Sequence, residues 1–189
     1  FVRGGESGQN LVLFNDAPVY QPSHLLGFFS IFNTGHISYL QLQKNGMESQ
    51  YGGRLSSVLL VKSPDTIPEK ISISGNIGIL ASQATLSIPL GNKYALYVSA
   101  RKTYMNLILN PLLSGLGAIS DDGESFNYDF QDYNLSFIAR PSKKDIITLH
   151  SYFGADKFKL EQDEYQLTGK MNWYNLAASL QWKHNWNID

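Results

Sequence analysis

The sequence contains no cysteine. Disulfides and thiolate metal sites are therefore excluded, although no compartment is chosen by that absence. Charge is scarce: charged residues make up 16% of the chain and the formal net charge is -1, against roughly a quarter of residues in an ordinary domain. No basic field points to nucleic acid. No signal peptide is visible, and no apolar run is long enough for a transmembrane helix. A barrel is untouched by that last exclusion, because it crosses a membrane with short strands of alternating polarity.

Known catalytic and cofactor motifs are also missing. Gly4, Gly5 and Gly8 follow a strand-like Phe1-Val2, which suggests a phosphate-cradling loop. Such a loop needs a Gly-Lys-Ser/Thr end, and here Gly8 is followed by Gln9-Asn10. A dinucleotide loop must open a helix. This one opens Leu11-Val12-Leu13-Phe14, an apolar strand closed by turn-forming Asn15-Asp16 and Pro18. There is no Gly-x-Ser-x-Gly elbow and no cysteine nucleophile, so no enzyme activity is expected. His24, His36, His150 and His184 stand isolated in the sequence, without a second ligand at metal spacing, so neither metal nor cofactor is expected. Asp121, Asp122 and Glu124, and Glu161 with Asp163 and Glu164, are carboxylate-rich groups. They read as solvated loops, with only a hint of the alternate oxygen ligands that calcium requires.

What the chain has in quantity is aromatic residues, 13% of the total with 11 Tyr and 10 Phe, and period-two patterning. Two regimes meet near Lys62-Ser63-Pro64-Asp65. Before it, Leu11–Phe14, Ile37–Gln43 and Leu55–Val61 read as strands, and Ser23–Phe32 as helical or irregular. Leu55–Val61 is nearly all apolar towards its end, as in a strand buried on both faces. After Pro68 about six strands alternate cleanly. Tyr94, Leu96, Val98 and Ala100 oppose Tyr97, Ser99, Arg101 and Thr103. Tyr133, Leu135 and Phe137 oppose Asn134, Ser136 and Arg140. Ile147, Leu149 and Phe153 oppose Thr148, His150 and Tyr152. Leu176, Leu180 and Trp182 oppose Asn175, Ser179 and Gln181.

The stretches 91–93 and 141–145 read as short turns, and those from about Met105 to Phe126 and from about Gly154 to Gln166 as long loops. Short turns at one end and long loops at the other is the outer-membrane barrel arrangement, with Tyr94 and Trp182 near the short-turn end where an aromatic girdle belongs. On that reading Arg101 and His150 line the lumen. Pattern alone leaves a soluble antiparallel sandwich open, for example a carbohydrate-binding module. In a sandwich Leu96, Leu135, Leu149 and Leu180 meet in one core; in a barrel they face lipid.

Several stretches together resemble the TonB-dependent outer-membrane receptors, in the form found in Bacteroidetes-type nutrient uptake (the SusC-like type). They are Val2-Arg3-Gly4-Gly5, then Asn10 to Tyr20 with Ala17 where the family usually has Gly, then His24 to Ser30 with Phe32-Asn33, and Ile37 to Gly46. Tyr51-Gly52-Gly53-Arg54-Leu55 to Val61 resembles the closing plug motif, where glycines let the backbone turn before the last plug strand. Tyr97 to Tyr104, and Trp173-Tyr174-Asn175 with Trp182, resemble barrel strands. The resemblance implies a mainly β chain: residues 1–65 the C-terminal part of a mixed α+β plug, and residues 66–189 the first antiparallel strands of an incomplete transmembrane β-barrel. FVRGGESGQN is then expected to lie inside a plug, with most of a roughly twenty-two-stranded barrel downstream.

The resemblance further implies an active transporter in a bacterial outer membrane. It would take up an oligosaccharide, peptide, siderophore or similar solute. Its partners would be TonB, acting through a segment this chain does not carry, outer-membrane lipid and a surface lipoprotein. Arg3 and Arg54 are implied as plug arginines that meet carboxylates of the barrel wall, since a charge inside a plugged lumen is costly unless paired.

Overall fold

The computed structural model describes residues 9–24, 27–44, 50–53, 56–117, 125–162 and 167–186. The fold is mainly β.

The N-terminal segment builds a small mixed sheet. Strand β1 (Asn10–Phe14) turns into β2 (Ala17–Val19) through Asn15-Asp16 alone. Both corner residues are left-handed, with φ of 47° and 68°, the geometry of a two-residue hairpin turn that asparagine and aspartate tolerate. Ala17 therefore opens β2 and carries no turn strain. Two very short strands, β3 (Ser23–His24) and β4 (Phe29–Ser30), pair with each other where a helical or irregular segment was expected. A 3-10 turn follows at Thr34–His36, capped by Asn33, whose Oδ1 accepts from Gly35 N at 3.0 Å. Strands β5 (Tyr39–Gln43) and β6 (Ser57–Lys62) complete the sheet in the order β2-β1-β6-β5. The central β1–β6 pair is parallel, which requires the long crossover between them. Strand β6 is largely buried, as its continuous apolar run predicts.

The rest is one six-stranded antiparallel meander: β7 (Ser72–Ile77), β8 (Ala81–Leu90), β9 (Tyr94–Thr103), β10 (Ser125–Ala139), β11 (Asp145–Gln162) and β12 (Leu167–His184). The sheet is open, with β7 and β12 at its edges and no closed barrel. Helix α1 (Asn106–Gly115) lies between β9 and β10, and Asn106 Oδ1 accepts from Tyr128 N at 2.8 Å on the part of β10 that β9 does not reach.

One expected loop is mostly strand. Residues 154–162 continue β11, and β12 begins at Leu167, so of the two long loops expected in the meander the β9–β10 connection alone is long. Glu161 sits on β11, paired with Lys159; its acidic neighbours at 163 and 164, and those at 121, 122 and 124, lie outside the described residues. The cause is an inversion of polarity along the strands. Up to about residue 153 of β11 the apolar residues point outward. Beyond it they point inward, as Phe158, Tyr128 and Phe130 do, while Lys157, Lys159 and Asp129 take the outward positions. The apolar residues change parity and the alternation looks broken, although the ladder runs on unbroken.

The two faces of the meander are unlike. Leu135, Leu149, Phe153, Leu176 and Leu180 are exposed on the outward face, Leu176 and Leu180 by more than 70%. They do not meet under a second sheet. The inward face is covered by the N-terminal segment, where Val12, Phe14, Val19, Ile31, Phe32 and Val61 pack against Tyr152 and Ala177. Phe14 meets Phe32 at 6.2 Å and the edge of Tyr152 at 6.3 Å between ring centroids.

Candidate functional site

Two buried polar clusters lie between the N-terminal segment and the inward wall. The first centres on His24. Strand β3 carries it onto Phe130, with ring centroids 4.2 Å apart and planes 9° apart. Its Nε2 donates to Asp132 Oδ1 at 2.8 Å and its Nδ1 to Asp156 at 2.9 Å. Carboxylate oxygens only accept, so both ring nitrogens carry hydrogen and His24 is an imidazolium. Burial opposes that charge, and the hydrogen bonds that Asp132 and Asp156 accept from the ring outweigh it, so the His24 pKa is raised above its ordinary value.

The carboxylates have further partners. Asp132 accepts from Tyr152 Oη at 2.7 Å and from Arg101 Nε at 2.7 Å. Arg101 also donates to the Ser30 carbonyl at 2.6 Å and lies 5.1 Å over the Phe130 ring. Asp156 accepts from Tyr128 Oη. Two cations and two carboxylates thus balance, with His24, Asp132 and Asp156 buried and Arg101 at the edge of the contact, the condition under which buried charge is tolerated. Gly154 stands opposite Asp132 in the ladder, and a Cβ there would come within 2.8 Å of Tyr152 Cζ and 3.1 Å of Asp132 Oδ1.

The second cluster is a chain of hydroxyls and imidazoles across four strands. Ser99 Oγ donates to Thr85 Oγ1 at 2.9 Å, so it accepts from His36 Nδ1 at 2.8 Å. His36 Nε2 then accepts from Ser136 Oγ at 2.8 Å, and Ser136 accepts from His150 Nδ1 at 2.8 Å. This order of donors suits two neutral rings, and burial, the largest cause, pushes His150 down to about 4. Burial first, and the nearness of His150 second, push His36 down to about 4. Gly35 lets the 3-10 turn approach β8, since a Cβ there would lie 2.5 Å from Thr85 Oγ1. Ser136 with its two imidazoles has the parts of a nucleophile and base, and the serine is fully buried.

A third set of contacts ties the β1–β2 turn to β12. Gln181 Nε2 donates to Asp16 Oδ2 at 2.6 Å and to the Asn15 carbonyl at 3.2 Å, and Lys62 pairs with Asp16. Burial raises the Asp16 carboxyl, but the Lys62 and Gln181 contacts hold it below its ordinary value.

Of the four residues singled out from sequence, Arg101 and His150 both lie on the inward polar face, one in each cluster. Arg3 and Arg54 lie outside the described residues. The isolation of the other histidines holds only along the chain. His24 sits between two aspartates, His36 joins His150 through Ser136, and His184 meets Asp145 Oδ1 at 2.7 Å. Sequence reasoning missed Asp132 and Asp156 altogether. Their inward parity on strands next to a covered face was the available signal, because a charge at such a position demands a partner. Among the described residues no group of three or more His, Cys, Asp or Glu is arranged to hold a metal ion. Comparison with protein-family models, with curated proteins and with solved structures found no match.

Proposed function

We propose that the chain is part of a TonB-dependent active transporter of a bacterial outer membrane, with residues 1–65 belonging to its plug and residues 66–189 to its barrel wall, and that it carries no catalysis. One observation carries this reading: up to about residue 153 of β11 and the strand positions beside it, the six-stranded sheet wears its apolar side outside and its polar side inside. From Trp182 to Tyr174 the outward residues of β12 are apolar over eight residue steps. That is about 27 Å along the strand, or about 20 Å for strands tilted by ~40°, the same order as the ~25 Å apolar band of such barrels. No helix among the described residues is long and apolar enough to cross a membrane, so strands are the crossing elements on this reading.

The inner clusters fit a plug held against a wall. His24, Arg101, Asp132 and Asp156 tie the two parts through charge-assisted hydrogen bonds that can be broken without unfolding either sheet. Energy delivered by TonB to the plug would break such ties and let solute pass. Oligosaccharide, peptide, siderophore and related solutes all remain within this class, and a surface lipoprotein would serve as its partner.

The test is fluorescence quenching in vesicles containing brominated phosphatidylcholine. Two variants keep one tryptophan each: Trp182, which points outward, and Trp173, which points inward. Strong quenching of Trp182 with weak quenching of Trp173 is expected. Equal quenching, or a chain that stays monomeric in detergent-free buffer at high concentration, overturns the reading in favour of a soluble module.

A further inference from the structure

We propose that Lys157, Lys159 and Lys170 form a site for the phosphate of a membrane-lipid headgroup, on the outward face just beyond the apolar band. The inference rests on that face lying against a bilayer.

The ladder places these side chains together. Lys159 stands directly opposite Lys170, and Lys157 is opposite Asn172, one diagonal step from Lys170. Like charges directly opposed on neighbouring strands destabilise a sheet, so an anion between them removes a cost as well as adding a contact. Carboxylates at the patch supply it only in part, since Lys102, Lys157, Lys159 and Lys170 face only Asp129 and Glu161. Glu161 pairs with Lys159 at 2.6 Å, and Asp129 is engaged by Lys102. Among the described residues Lys157 and Lys170 have no partner, and both are exposed. The three lysines line a shallow hollow of about 300 Å³ together with Asn127, Asn172, Phe158 and Asp129, the last of them directly opposite Lys157. The amides add donors beside the ammonium groups, as a phosphate with several acceptor oxygens requires.

The height of the patch selects a lipid as the source of the phosphate. Lys157 and Asn172 lie two residues beyond the Tyr174–Ala155 row, about 7 Å along the strand. Below them Tyr133, Phe153 and Tyr174 form a row of stacked rings, with centroids 6.5 and 6.1 Å apart. Such a belt marks the level where hydrocarbon gives way to headgroups. The lysines are at phosphate level directly above it, and the rings below offer flat faces to the sugar or ester part of the same molecule. A free phosphate gains none of that contact.

The test uses the full chain in phosphatidylcholine vesicles doped with a few per cent of diphosphorylated lipid A, or with its dephosphorylated form. The chain is extracted in mild detergent and the lipid retained is measured by mass spectrometry. Trp182 quenching by brominated lipid is read on the same samples. Selective retention of the phosphorylated lipid is expected, reduced about tenfold or more by Lys157→Gln with Lys170→Gln, since each lysine near an anionic surface matters by several-fold. Lys143→Gln with Lys144→Gln, at the opposite end of the sheet, should retain lipid as the parent does. Excess inorganic phosphate should not displace it. Quenched Trp182 with equal retention of both lipids, or displacement by inorganic phosphate, overturns this site and leaves the membrane reading standing. Unquenched Trp182 overturns both.

Discussion

His24 and Asp132 lie 108 positions apart in the chain and 2.8 Å apart in space, with both side chains buried. One belongs to the segment that covers the wall and the other to the wall itself. The bond between them, with its twin to Asp156, is therefore a hinge point for whether the two parts stay together.

Replacing His24 by alanine should loosen the cover and spare the wall. The change leaves Asp156 with Tyr128 alone and Asp132 with Arg101 and Tyr152. Breaking a buried charge pair by removing one partner costs about 3–5 kcal/mol. Amide exchange at Val12 to Phe14 should accelerate strongly while that of β10 and β11 holds. Unchanged protection of β1 would show that the apolar contact of Phe14, Ile31 and Phe32 is sufficient by itself.

Two histidines should give the contact opposite pH slopes. His24 has a raised pKa, so its contribution is full below the unfolded value of about 6.5 and is lost as pH rises through the folded value. His36 is pushed down to about 4. Its contribution is full above about 6.5 and is lost as pH falls towards 4, on the order of 3 kcal/mol in all. The protection of β1 should therefore pass through a maximum near neutrality. His24→Gln should flatten the alkaline side, and His36→Gln should lessen the acid side, part of which stays because burial also pushes His150 down to about 4. A profile unaltered by either variant would remove the histidines from the linkage.

The six strands of the wall were legible because alternation is a local signal, set by which side of each strand is dry. Their length was not, since the signal depends on one face staying apolar and here the faces exchange character near Gly154. The cluster was legible only in fragments. Arg101 and His150 could be placed on a polar face by parity alone. Arg101 stands opposite Asp132 in the ladder, but a connection of some twenty residues between β9 and β10 hides that register. His24 reaches both aspartates through a pair of two-residue strands that no periodicity marks.

Gly154→Ala should disrupt the cluster without touching a charge. The new methyl would meet the tip of Tyr152 and Asp132 Oδ1. Tyrosine tips can often swing aside, but this one is packed against Phe14 and bonded to Asp132. The hydroxyl must leave Asp132, and an unmade bond to a buried carboxylate costs about 1.5–3 kcal/mol. Loss of wall stability of that order in urea titration is expected. A fully stable variant would mean that the tyrosine relocates freely.

An arginine scan across the two faces should give three different costs. Leu135 is outward and near the middle of the apolar band, opposite Ser151 and through it Ala178. On the proposed membrane reading Leu135→Arg should cost roughly 2–4 kcal/mol of folding free energy in a bilayer, because that reading puts the charge at mid-depth. Tyr174 is at the rim of the band, where the same substitution should cost about 0–1 kcal/mol. Ser99 faces inward, and a lumen-facing position would ordinarily accept a polar group. Here it does not, because Ser99 is buried beneath His36 and bonded to it and to Thr85. Ser99→Arg should expel the Thr34–His36 turn from the wall, with a penalty that persists in detergent, where the depth-dependent penalty of Leu135→Arg fades. The measurement is folding yield at equilibrium in bilayers and in micelles for the three variants. Equal costs for Leu135→Arg and Tyr174→Arg in bilayers would mean that the outward face has no depth axis, and the assignment of that face to lipid would fail.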